Sequence, residues 1–164
     1  MKPRFETRAG FCAIGLASFY KISETGKIPE LWDNFISREE EPNGRLGDHR
    51  FGICDMPEDV PEDFDFRYVA CVEVSAFCDV LPEGMVKCTI PAHDYVVFTH
   101  KGPITEIGNT LDYIHSEWLP ASEYDDTPSG EFEFYGENFN SKDPMDENSE
   151  VDIYVAVSKS DTKK

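Results

Sequence analysis

The residues most suited to chemistry lie in one short segment, Gly130-Glu131-Phe132-Glu133-Phe134-Tyr135-Gly136. Glycines bracket it, and the alternation between them predicts a strand with Glu133 and Tyr135 on one face and both phenylalanines on the other. A carboxylate on a partly buried face is costly unless a cation or hydrogen bonds compensate it, so such a site favours an organic cation. Tyrosine and tryptophan faces around that cation would each add about 0.5–2 kcal/mol through cation–π attraction. The same residue types could also supply a general base and a proton donor. Alternation alone favours a solvated face for Glu133, with Glu131 sharing it.

Composition narrows the field. Fifteen basic residues stand against 33 acidic ones, a net charge of −18, which argues against direct nucleic-acid binding and for cations or a basic protein surface. The four histidines and five cysteines have no ligand-like spacing, so neither a metal nor another cofactor is expected. Cys12, Cys71 and Cys88 sit among strand-forming residues and Cys54 and Cys78 form no CxxC pair, a pattern of free thiols that fits a reducing cytoplasm. Signal-peptide character and an apolar run of roughly 18 residues are both missing, so no membrane span is expected.

Two helices and six main strands would position the candidate residues. Ile28, Leu31, Trp32, Phe35 and Ile36 follow helical spacing, with Pro29 in the first turn. Ile104, Ile107, Leu111, Ile114 and Trp118 mark a second helix, opened by Gly102-Pro103 and ended by Pro120. Strands are predicted at 11–16, 50–54, 66–74, 95–100, 131–135 and 151–157, with short pieces near 4–7 and 86–90 extending the leading strands. Polar loops at 38–49, 55–65 and 136–150 connect them.

The order strand, helix, strand, strand therefore occurs twice. Phe51-Gly52-Ile53 echoes Phe132-Glu133-Phe134, and Tyr68-Val69-Ala70 echoes Tyr154-Val155-Ala156, which pairs Tyr68 with Tyr154 and Gly52 with Glu133. This predicts an α+β fold of duplicated βαββ units with pseudo-twofold symmetry. Two helices would pack on a largely antiparallel sheet, with a ligand crevice between the halves. The single domain would span 1–158, with repeats of about 1–80 and 81–158 and a polar tail at 159–164.

The chain resembles the GyrI-like effector-binding domains, whose repeats are SHS2-like and which occur alone or fused to AraC-type and MerR-type bacterial regulators. The resemblance runs from about Phe5 to Ser158. It is carried by Phe11-Cys12-Ala13-Ile14-Gly15-Leu16, the segment Ile28-Pro29-Glu30-Leu31-Trp32-Asp33-Asn34-Phe35, and Tyr68-Val69-Ala70-Cys71-Val72-Glu73-Val74. In the second half it continues through Ile90-Pro91-Ala92-His93-Asp94-Tyr95, Lys101-Gly102-Pro103, Glu117-Trp118-Leu119-Pro120 and Phe132-Glu133-Phe134-Tyr135. The resemblance implies a pocket for bulky, often cationic aromatic compounds, with Glu133 as the ligand-facing glutamate. Regulators of this family carry a separate DNA-binding domain, for which the sequence leaves no room, so a stand-alone form is expected.

The expected ligand-binding set is Glu133, Tyr135, Tyr68, Tyr154, Trp118, Trp32, Tyr95 and Phe98. A stand-alone binding protein for cationic or aromatic small molecules, drug-like compounds or metabolites, follows. Two alternatives stay open. One is a hydrolase of reactive electrophiles, with Glu133 as base and Tyr68 or Tyr154 as proton donor. The other is an acidic protein-interaction module such as a topoisomerase inhibitor, its partner unknown.

Overall fold

A computed structural model describes the chain through Asp161, apart from Asp59, Cys78, Asp79 and the side chain of Ser129. Cys78 and the last three residues of the expected tail lie outside the described residues. Contacts divide the chain into two compact units: Gly10–Pro91, and Met1–Ala9 together with the chain from Ala92 onward. Among the described residues, no helix is long and apolar enough to cross a membrane.

The Gly10–Pro91 unit holds β2 (Phe11–Tyr20), α1 (Ile28–Ile36), β3 (Arg50–Asp55), β4 (Phe66–Val74) and β5 (Val86–Ile90). A 3-10 turn at Ile22–Lys27 leads into α1, whose Pro29 lies in the first turn as predicted. Its strands run antiparallel in the order β3-β4-β2-β5. Leu31 and Phe35 of α1 pack on Ile14 of β2 and on Tyr68, Ala70, Val72 and Val74 of β4. The even-numbered residues of β4 therefore face the helix.

The other unit holds β1 (Arg4–Arg8), β6 (His93–Lys101), β7 (Tyr124–Tyr135) and β8 (Glu150–Lys159), antiparallel in the order β1-β6-β8-β7. Its helical run crosses residues 104–121. A 3-10 turn (Ile104–Glu106) precedes α2 (Ile107–Tyr113), a π turn follows (Ile114–Trp118), and α3 (Leu119–Ala121) closes it. Ile114 and Leu119 pack on Val96 and Phe98 of β6 and on Ile153, Val155 and Val157 of β8. Buried His100 pins the start of the run. One ring nitrogen contacts the Pro103 carbonyl at 3.1 Å, and the other contacts Thr110 Oγ1 at 2.8 Å. A carbonyl only accepts, so Nε2 donates to the Pro103 oxygen.

The fold is thus α+β, with helices packed on antiparallel sheet, as predicted. Three details differ from expectation. The short pieces at 4–7 and 86–90 do not extend the strands beside them: β1 pairs with β6, and β5 with β2. The second helix runs one residue beyond Pro120, to Ala121. Strand β7 starts at Tyr124, well before Glu131, and crosses a bulge between Asp126 and Glu131 that accommodates Pro128 and Gly130, the latter at φ +98.

Gly15 on β2 lets the backbone of β4 approach closely. A Cβ there would lie 2.5 Å from Cys71 Cβ and closer still to the Ala70 carbonyl oxygen. Backbone on a central strand cannot yield as a flexible side chain would. Gly15→Ala is expected to destabilise the protein by at least about 2 kcal/mol, read as a lower urea midpoint at unchanged slope.

Candidate functional site

Register decides which candidates meet. Glu133 lies opposite Ile153, and Ile153 lies opposite Phe98. These three form one row across β7, β8 and β6 on the side that carries the helical run. Tyr135 continues on the same face of β7, buried edge-on against Phe139 at 4.8 Å. Its hydroxyl donates to Glu133 Oε2 at 2.6 Å. The alternation read from sequence is correct here, and the phenol orients the carboxylate that it contacts.

Tyr154 and Tyr95 lie on the opposite face. Tyr154 pairs with Phe132, and the two rings stack at 4.6 Å and 10°. Tyr95 meets Tyr154 edge-on at 5.8 Å. The Tyr154 hydroxyl donates to Glu6 Oε2 at 3.0 Å, and the Arg8 guanidinium stands 5.4–5.9 Å above the Phe132, Phe134 and Tyr154 rings. Burial and neighbouring Glu6 push the Tyr154 phenol above its ordinary pKa.

In the Gly10–Pro91 unit, Trp32 Nε1 donates to the Tyr68 hydroxyl at 3.1 Å, on the helix-bearing face. Tyr68 thus faces its helix, whereas Tyr154 faces away from the helical run of its own unit. The pairing of Tyr68 with Tyr154 is corrected accordingly. Side chains alternate with a period of two, so a short echo offset by an odd number of residues puts equivalent-looking tyrosines on opposite faces. Gly52 lies opposite Ala70, on the same face as Tyr68.

Trp118 and Phe98 pack edge-on at 5.2 Å. Trp118 also stacks on Tyr124 at 6.4 Å and 12° and meets Phe5 at 6.3 Å. These partners draw it towards β1 and the start of β7. The candidates therefore form four pairs: Glu133 with Tyr135, Trp32 with Tyr68, Tyr95 with Tyr154, and Trp118 with Phe98.

Sequence patterns missed His115. The π turn turns its imidazole onto β7, where Nε2 lies 2.7 Å from Glu131 Oε2. Glu131 shares the face of Glu133, so a histidine–carboxylate pair sits beside the candidate anchor. No periodicity shows a π turn, which shifts every later residue around the helix. Phe5 and Tyr124 were also missed: Phe5 lies in a segment read as a strand extension, and Tyr124 in one assigned to no element.

The Glu131 carboxylate, helped by Asp126 and Asp112 and opposed by burial, raises the pKa of His115 above its ordinary 6.5. A raised folded-state pKa stabilises the protein fully below the unfolded value, and this contribution is lost as pH rises through the folded one. An NMR titration of His115 should show a midpoint above the ordinary value, and Glu131→Gln should lower it. An unchanged midpoint in that variant would mean that the pair does not form.

Comparison with known proteins places this geometry. Residues 1–158 match the GyrI-like small molecule binding domain. The transcriptional regulator BrlR of Pseudomonas aeruginosa is 34% identical over 158 residues, which cover 96% of this chain and 56% of BrlR. This chain thus spans little more than half of that relative. The structure of SAV2435 bound to tetraphenylphosphonium superimposes with a TM-score of 0.73 at 17% identity, covering 96% of this chain and 94% of that one. The EcmrR C-terminal domain does so with a TM-score of 0.69 at 17% identity, covering 97% and 98%. With helices on antiparallel sheet and a family match over nearly its whole length, the chain belongs to the GyrI-like small-molecule-binding domains.

Proposed function

We propose that this domain binds bulky cationic aromatic compounds, with Glu133 as the anionic anchor. The observation that carries the reading is the Glu133 carboxylate on the helix-bearing face of β7, fixed by the Tyr135 hydroxyl at 2.6 Å. Phe98 and Ile153 continue its row into the buried apolar cluster beneath the helical run. A carboxylate beside apolar side chains attracts a delocalised cation, which is weakly hydrated and loses little on leaving water. The tetraphenylphosphonium held by a protein of this fold is such a cation. The charge of −18 favours cations at long range and disfavours direct contact with nucleic acid. Sensing or sequestering such compounds in the cytoplasm is the role we infer.

Titration with tetraphenylphosphonium and with neutral triphenylphosphine oxide tests the anchor. Glu133→Gln should weaken phosphonium binding by about 1.5–3 kcal/mol and leave the oxide nearly unaffected. Equal losses for both compounds would contradict charge recognition.

The Glu133–Tyr135 contact also favours a second reading, hydrolysis of a strained electrophile. Glu133 would take a proton from water as its oxygen bonds to the electrophilic carbon. The carbon released with the electron pair of the broken ring bond would then be protonated from Tyr135, adding water overall; Tyr154, a donor expected from the sequence, lies on the opposite face of the sheet from Glu133. Turnover of an activated cyclopropane that vanishes in Glu133→Gln and falls sharply in Tyr135→Phe would support it. Absence of turnover by the unaltered chain would remove it.

A further inference from the structure

A pocket of about 460 Å³ lies well away from Glu133 in the unit that contains both. It opens where β1, β6, the start of β7 and the end of β8 meet. Tyr124 there is opposite Lys159, six positions along β8 from Ile153, or about 20 Å at the usual strand rise.

Its walls are unusual for the tip of a charged sheet. Phe5 is 55% exposed on the short strand β1, its ring 5.1 Å from that of Tyr124. Trp118 stacks behind Tyr124 and holds the pair in place. A large exposed aromatic supported by two further rings offers a ready face for another ring.

The polar groups select the ligand's charge. Glu6 is already engaged, by Arg4 Nε at 2.7 Å and by the Tyr154 hydroxyl. The Lys159 ammonium is 3.9 Å from Glu123 Oε2 and largely exposed, a weak counterweight. Asp94 is placed differently. Its Oδ1 accepts from Thr7 Oγ1 at 2.6 Å, which orients the carboxylate, and among the described residues Oδ2 accepts no hydrogen bond.

We propose that this pocket is a second small-molecule site, for arylalkylammonium compounds, with the ligand ring against Phe5 and Tyr124 and its ammonium on Asp94. The volume suits one ring and a short chain. An aromatic wall with a single orienting carboxylate attracts the cation twice, through the ring quadrupoles and through charge-assisted hydrogen bonds. An arylalkyl carboxylate would meet Asp94 and Glu6 and be repelled.

Calorimetric titration of the chain with 2-phenylethylammonium, 2-phenylethanol and phenylacetate tests this. The amine should bind more tightly than the alcohol, and phenylacetate should bind weakest. Asp94→Asn should weaken the amine by about tenfold and leave the alcohol unchanged, whereas Phe5→Ala should weaken both. Phe5 and Asp94 are exposed, so neither change should disturb the fold, which circular dichroism verifies. Glu133→Gln should leave all three affinities unchanged, and tetraphenylphosphonium should not displace the amine. This separates failure here from failure at Glu133. The proposal is overturned if the amine does not bind, if Glu133→Gln abolishes its binding, or if Asp94→Asn weakens amine and alcohol alike.

Discussion

A β-strand sends successive side chains to opposite sides, and the hydrogen-bonded register between strands then decides which of them can meet. In the unit built on β1, β6, β8 and β7, that constraint sorts the candidate residues. The row Phe98, Ile153 and Glu133 faces the helical run, and the row Val97, Tyr154 and Phe132 faces away. A shift of one residue between β7 and β8 would exchange the two sets on β7, turning Phe132 and Phe134 towards the helical run and Glu133 and Tyr135 away from it. The apolar cluster around Ile114 and Leu119 holds the register, because Val96, Phe98, Ile153, Val155 and Val157 must all point towards it. The position of Glu133 is thus set by hydrophobic burial on neighbouring strands as much as by its own sequence.

Each face then has its own electrostatic arrangement. On the helix side, Glu131 is matched by His115 and Glu133 is oriented by Tyr135. On the other side, a guanidinium lies over the aromatic rings: Arg8 faces Phe132, Phe134 and Tyr154, while Glu6 accepts from the hydroxyl of Tyr154 and the guanidinium of Arg4. Aromatic residues on the far face already hold a cation of the chain itself. Those on the helix side pack with apolar and acidic neighbours: Phe98 on Trp118, and Tyr135 on Phe139 and Glu133. Parity therefore separates surfaces that composition alone treats as one.

Much of the fold was legible because its elements are short, strongly patterned and clearly bounded. Ile28 to Ile36 has an apolar face at helical spacing with Pro29 at its start, and α1 has those bounds. Alternation in Phe132-Glu133-Phe134-Tyr135 placed Glu133 and Tyr135 together correctly. Pairing was harder to read: nothing local in Arg4–Arg8 says that it joins β6, nor in Val86–Ile90 that it joins β2, since partners are chosen by distant surfaces. The π turn was invisible for a related reason. A single extra residue in the helix leaves no mark in the sequence spacing of Ile107, Leu111, Ile114 and Trp118, while His115 lies within the π turn and reaches Glu131. The Tyr-Val-Ala echo misled because three-residue similarity carries no phase, and phase is what fixes a strand's face. As for function, alternation alone favoured a solvated Glu133, and family resemblance was needed to make it an anchor.

We propose that an organic cation is recognised on the Glu133 face. The most direct measurement is a crystal structure of this chain grown with tetraphenylphosphonium. The phosphonium is expected on the helix-bearing side of β7, its phenyl groups against apolar side chains and the Glu133 carboxylate its nearest charge. A cation seated instead on the Tyr95–Phe132–Tyr154 face, with Arg8 displaced, would contradict it.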